Sequence, residues 1–233
     1  MPRSIRDRAS GVEVFSILSR SLRVDWRDYT ALVAYNDSPR SPFQLLVALV
    51  LSQNTSDVNS IKAYRRLKRI VGVDPFSILR ADIGEIEEAI KPAGLARRRA
   101  ETLKSLAKHI LDLGGEDILD REEPFRLREI LLEVKGVGYK TVDVFLSLYR
   151  KAPVFAVDTH AARIARRWGL VGDKASYNEI SKALLEFFGS DRSDEAHRLV
   201  IALGRTYCRA RNPKCSECPL YGLCPYPGRE NKK

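Results

Sequence analysis

At 233 residues the chain can bury a substantial core without disulfides, and 44% hydrophobic with 30% charged residues is the make-up of an ordinary globular protein. No apolar run nears the ~20 residues that a membrane-spanning helix needs, and the basic start, Met1 to Arg8, leads into no apolar core with a small-residue cleavage site. The expected setting is therefore intracellular, cytoplasm or nucleoid, without a membrane, and the formal charge of +10 points to a polyanionic partner, nucleic acid first.

Apolar positions recur at helical spacing almost throughout, and alternating β-branched runs are nearly absent, so the pattern predicts an all-α fold. Ser41-Pro42 reads as a helix start, with Ser as N-cap and Pro in the first turn, followed by the buried positions Leu45, Leu46, Leu49 and Val50. Further helices are expected over Asp57 to Ile70, Ile83 to Lys91, Arg97 to Leu113 and Pro124 to Val134, separated by Gly or Pro in short loops. Gly228 to Lys233 read as a disordered tail.

Leu127, Ile130, Leu131 and Val134 form one apolar stripe, and Val142, Phe145, Leu146 and Tyr149 form another after the glycines. Two helices are thus expected to pack across the tight turn Gly136-Val137-Gly138, where both glycines permit positive φ and close approach. The second helix would offer its N-terminal N–H groups to a phosphate. Such a helix-hairpin-helix would contact DNA backbone rather than bases, through Lys135, Gly136, Val137, Gly138, Tyr139 and Thr141; a plain Gly-capped αα-turn is the alternative. Lys140 opens the second helix, where the dipole disfavours a cation and favours the neutral amine, which makes it a candidate nucleophile. Asp158 ends the apolar run Pro153 to Val157 and fits the N-cap of a helix over Ala161 to Trp168.

All four cysteines fall in the last 26 residues, as Cys208-x6-Cys215-x2-Cys218-x5-Cys224. Clustered thiols in an intracellular chain bind a metal centre, and this spacing is open to tetrahedral zinc or a [4Fe–4S] cluster. Arg209, Arg211 and Lys214 lie in the enclosed loop, which the metal would order against DNA.

Taken in order, these segments resemble the endonuclease III branch of the helix-hairpin-helix (HhH-GPD) DNA glycosylase superfamily, from about Ser38 to Pro225. Ser41-Pro42-Phe43-Gln44-Leu45-Leu46 and Leu51-Ser52-Gln53-Asn54-Thr55-Ser56-Asp57 look like its early core helix and DNA-probing loop, Gly136-Val137-Gly138-Tyr139-Lys140-Thr141 like its hairpin, and Val157-Asp158-Thr159-His160 like its catalytic aspartate segment. The cysteine spacing matches that branch's iron–sulfur signature. The resemblance implies a two-lobed fold with DNA in the cleft between lobes: a six-helix barrel over 35–152, and a discontinuous iron–sulfur lobe from 1–34 and 153–233. It implies a [4Fe–4S] cluster on the four cysteines, with Lys140 and Asp158 catalytic and Gln53, Asn54, His160 and the residues of hairpin and cluster loop on the DNA. The implied activity is that of a monomeric bifunctional glycosylase/AP lyase on double-stranded DNA with oxidised pyrimidines or abasic sites, working through a lysine Schiff base.

Two positions depart from the family pattern. Asn54 stands where relatives often carry Gln, with Gln53 just before it, leaving open which side chain fills the space of an extruded base. Lys135 replaces a proline common before the hairpin, and a helix C-terminus accepts a cation. The rival readings are a G·T or G·U mismatch glycosylase of the same fold, whose branches commonly carry Tyr or Ser at the position of Lys140, and a non-catalytic DNA-binding protein.

Overall fold

The computed structural model describes residues 4–37 and 41–227, so the expected disordered tail lies outside the described residues. It contains helices and turns, with no strand among the described residues, and divides into two compact units: 25–150, and 1–24 together with 151–233. The discontinuous unit begins with α1 (Gly11–Ser21). The contiguous unit holds α2 (Thr30–Tyr35), α3 (Pro42–Leu51), α4 (Asp57–Ile70), α5 (Pro75–Arg80), α6 (Ile83–Ile90), α7 (Ala96–Asp112), α8 (Ile118–Arg121), α9 (Pro124–Leu132) and α10 (Tyr139–Leu148). The discontinuous unit resumes with α11 (Thr159–Arg167), α12 (Tyr177–Phe188) and α13 (Ser193–Thr206).

Caps set most of these starts. Ser41 Oγ accepts the Gln44 N–H and Pro42 occupies the first turn of α3, as expected. Ser56, Asp74 and Asp82 do the same for α4, α5 and α6, the last with a reciprocal bond from its own N–H to Glu85. All ten residues of α3 are buried, which is why its sequence is apolar on every side: it is the centre of the contiguous unit, packed by α2, α4, α7 and α10. Each fully buried Leu or Phe there contributes about 1.5–3 kcal/mol of transfer free energy.

The discontinuous unit has its own core. Phe155, Trp168, Phe187 and Phe188 pack with Ile5, Val14, Leu18 and Leu184, and the Ile5 N–H donates to the Trp168 carbonyl at 2.8 Å, tying the chain's start to the end of α11.

The span of α4 matches the sequence expectation at both ends, and the other helix ends that differ do so by one to two residues. The clearest case is α9, expected to reach Val134. The Glu133 and Val134 N–H groups bond three residues back, to the Ile130 and Leu131 carbonyls, so the last turn tightens before the hairpin. No helix of the described residues is long and apolar enough to cross a membrane.

Candidate active site and metal centre

In the contiguous unit the hairpin joins α9 to α10. Gly136 has φ +93°, and a β-carbon on it would lie 2.2 Å from Thr102 Oγ1 on α7, so a side chain is excluded on two counts. Gly138 differs from the expectation. Its φ is −116°, nothing lies within 4 Å of where a β-carbon would stand, and its task is to cap α10 without a side chain. Lys140 is the second residue of α10 and half-buried; Lys135 and Tyr139 are exposed, and Val137 and Thr141 are buried.

A buried ion pair braces this helix start. Asp143, with no exposed side chain, takes Arg128 of α9 in a two-pronged contact, Nε to Oδ1 at 2.6 Å and Nη2 to Oδ2 at 3.0 Å, and the Arg128 guanidinium lies 4.9 Å from the Tyr139 ring centre. Gln53 also reaches the hairpin: its Nε2 donates to the Gly136 carbonyl at 3.2 Å and to Thr141 Oγ1 at 3.0 Å. Asn54 is exposed, in the left-handed region at φ +49°. From α7, the buried Arg99 donates to the carbonyls of Leu51 and Ala93, both at 2.8 Å, and to that of Gln53.

In the discontinuous unit Asp158 caps α11, Oδ1 accepting the Ala161 N–H at 2.7 Å. His160 lies against α13, where Gly204 makes the room: a β-carbon there would come within 2.3 Å of His160 Nδ1. Burial holds the His160 imidazole below its ordinary titration range, and Nδ1 accepts from Arg163 Nη2 at 2.9 Å. Arg163 also reaches the Cys208 carbonyl at 2.9 Å, so the aspartate segment and the first cysteine share one arginine.

Cys208, Cys215, Cys218 and Cys224 are unbridged and line one pocket with Trp168, Leu203, Tyr207 and Tyr226. Arg167 donates to Cys208 Sγ at 3.2 Å and to the carbonyl of Arg209 at 2.7 Å, and stacks on Tyr226. Burial pushes the Cys218 thiol up and that of Cys224 to about 11, so only a cationic centre would hold them as thiolates. Among the described residues no group of three or more His, Cys, Asp or Glu is spaced to hold a single metal ion; four soft sulfurs around one pocket fit an iron–sulfur cluster. Arg209 and Arg211 are exposed, while Lys214 pairs with Glu217 at 2.9 Å.

The sequence reading missed Arg99, Arg128, Asp143, Arg163 and Arg167. Two of these left a signal: Arg99 falls on the inward stripe of α7 with Leu103, Leu106 and Ile110, and Asp143 interrupts the apolar face of α10.

These features define a helix-hairpin-helix protein with a four-cysteine centre, and residues 47–190 match the family model for the HhH-GPD superfamily of base excision DNA repair proteins. Residues 208–224 match the iron–sulfur binding domain of endonuclease III. Endonuclease III of Sulfolobus acidocaldarius is 32% identical over 215 residues, 92% of this chain and 95% of that protein. A solved non-covalent endonuclease III–DNA complex superposes with a TM-score of 0.79 at 27% identity, covering 99% of this chain and all of the other. A trapped endonuclease III–DNA covalent intermediate gives 0.74 at 28% identity over 97% of this chain and all of that one. The chain belongs to the endonuclease III family of base-excision-repair DNA glycosylases, and its cofactor is a [4Fe–4S] cluster.

Proposed function

We propose that this glycosylase is bifunctional, removing oxidised pyrimidines from double-stranded DNA and cleaving the resulting abasic site by β-elimination, as a monomer inside the cell. The observation that carries the reading is a lysine as second residue of α10, directly after the hairpin, in a chain of the endonuclease III family. A helix N-terminus disfavours a cation and so favours the neutral amine that a nucleophile needs.

Neutral Lys140 Nζ attacks C1′ of the extruded nucleotide. The C1′–N bond breaks, the base leaves with the electron pair and is protonated, and the sugar ring opens to a protonated imine. Loss of a C2′ proton then expels the 3′ phosphate, and water releases the lysine. Asp158 supplies the carboxylate that the family resemblance implies: Oδ1 is spent on the α11 cap, which leaves Oδ2 to stabilise the positive charge developing on the sugar. Gly136 to Thr141, Lys135 and the basic loop hold phosphates, and His160, kept neutral, assists on the aspartate side. Cys208, Cys215, Cys218 and Cys224 hold the cluster, which orders the Arg209 to Lys214 loop for DNA and takes no part in bond breaking.

Borohydride reduction on duplex DNA with an abasic site tests this. Wild type should become covalently attached, and Lys140→Gln should abolish attachment while DNA affinity falls little, since one charge among many is lost. Trapping of Lys140→Gln at the wild-type rate would assign the nucleophile to another amine.

A further inference from the structure

The contiguous unit carries a cleft that shares no lining residue with the hairpin or with the loop of Gln53 and Asn54. It lies between the second half of α4 and the segment Trp26 to Asp37. Its volume of about 580 Å³ falls within the ~300–1,000 Å³ of small-molecule sites. Val33 and the buried Tyr64 give it apolar surface, and the Tyr64 hydroxyl is within hydrogen-bond reach of Asp37 Oδ2 at 3.2 Å and Gln44 Oε1 at 3.1 Å. Trp26 lines it too, with 48% of the residue exposed.

The charge along this cleft is one-sided. In the run Arg65-Arg66-Leu67-Lys68-Arg69, Arg66 pairs with Glu88 at 3.5 Å and Lys68 with Asp37 at 2.6 Å. Arg65 and Arg69, one turn apart on α4, are exposed and have no carboxylate partner among the described residues. Like charges at that spacing repel by about 0.2–0.5 kcal/mol. The helix C-terminus welcomes Arg69, but the dipole fades within the last turn and leaves Arg65 without that support. Folding gains nothing from an exposed indole beside two unpaired guanidiniums, whereas a ligand with a flat ring and an anionic group would use all three.

We propose that this cleft binds a nucleotide, with the base against Trp26 and the phosphate on Arg65 and Arg69. Two guanidinium forks one turn apart can share one phosphate, and stacking on an indole accepts any base. A nucleotide suits the cleft better than an acidic peptide, because the free cations form one cluster on one helix beside a single exposed ring, whereas a peptide needs a succession of pockets. A free nucleotide and a nucleotide unit of a single strand share this chemistry. The site uses neither Lys140 nor Asp158, so it stands apart from the glycosylase and lyase reading.

Trp26 is its own probe. The chain has two tryptophans and Trp168 is 1% exposed, so quenching by an added solute reports on Trp26. Thymidine monophosphate titrated into the full-length, cluster-loaded protein should quench the emission saturably, and thymidine or inorganic phosphate at the same concentration should do far less. Arg65→Gln/Arg69→Gln should weaken binding on the order of 10–10²-fold, the scale of lost charge-assisted hydrogen bonds. Trp26→Leu, followed by calorimetry, should weaken it about 10-fold through lost stacking. Oligothymidylate separates the two sources: tighter binding than the monomer, lost with the two arginines, assigns a strand, and binding of the monomer alone assigns a free nucleotide.

Quenching that never saturates, equal binding by wild type and the arginine variant, or inorganic phosphate competing at the concentration of the nucleotide would overturn the proposal. An acidic peptide with one phenylalanine that binds more tightly than either nucleotide form would overturn it too, in favour of a protein partner. Should Trp26→Leu fail to fold, the arginine variant, altered only at exposed side chains, decides by itself.

Discussion

Replacing Gly136 with Ala places a methyl group where the hairpin leaves none. Holding a non-glycine residue at φ +93° costs about 1–2 kcal/mol. The new β-carbon would sit 2.2 Å from Thr102 Oγ1, 3.1 Å from its Cγ2 and 3.2 Å from its Cβ. Thr102 is buried and its hydroxyl donates to the Arg98 carbonyl at 3.0 Å, so it cannot simply turn away, and the overpacking adds about 1–3 kcal/mol. The sum, roughly 2–5 kcal/mol, is a large part of the ~5–15 kcal/mol that holds a typical domain together. Gly138→Ala is the control two residues on: its φ is negative and the space is open, so only the poorer N-cap is felt, about 0.5–1 kcal/mol. Urea unfolding followed by far-ultraviolet circular dichroism compares the two at equal m-values. A loss below about 1 kcal/mol for Gly136→Ala, or equal losses for both, would refute the claim that the hairpin turns on Gly136 alone.

Arg128→Met removes the two-pronged cationic partner of the fully buried Asp143 carboxylate and should cost about 3–5 kcal/mol by the same unfolding assay, with Arg128→Met/Asp143→Leu less harmful than the single change. Because burial lowers the His160 pKa from its ordinary 6.5, the unfolded chain binds a proton that the folded chain refuses; stability should therefore fall as pH drops through that value, a loss that His160→Asn removes in melting curves between pH 5 and 8. Asp158→Asn keeps an oxygen for the Ala161 N–H but loses the charge, so base excision should fall steeply while trapping at preformed abasic sites survives, the aldehyde there being reactive already; equal loss of both would remove the carboxylate from the excision step. With about four to six phosphate contacts, a fourfold rise in salt should weaken duplex binding on the order of 10²–10³, and a flat response in a binding titration would contradict the basic-surface reading.

What could be read from the sequence was local. The Ser41-Pro42 start, the full span of α4, the hairpin and the Asp158 cap each depend on residues within a turn or two of one another, and propensity, capping and apolar spacing agree there. The features that escaped are long-range. Arg99 reaches Leu51, 48 residues back, and Gln53 reaches Gly136 and Thr141, 83 and 88 residues on; no periodicity encodes such partners. In the run Arg97-Arg98-Arg99 the first pairs with Glu87 and Glu101 at the surface while the third is buried, and only the phase of α7 tells them apart. The two hairpin glycines likewise look equivalent in sequence and separate only when Thr102, on another helix, is brought against one of them.

The two residues given the chemistry stand in opposite relation to the same local rule. A helix N-terminus carries partial positive charge, so a carboxylate there is stabilised and an ammonium is not. Asp158 obeys: it caps α11 with one oxygen, and its place in the fold needs no function to account for it. Lys140 does not, since α10 begins at a bare glycine with the lysine in its first turn and no acidic residue beside it there. Acidic residues open α4, α6 and α12, as Asp57, Glu85 and Glu179, whereas α7 opens on Arg97, Arg98 and Arg99, so a basic first turn by itself assigns no chemistry. Lys140→Glu should abolish borohydride trapping while urea unfolding stays within about 1 kcal/mol of wild type, and a variant that lost much more stability would show that the lysine is held for structure.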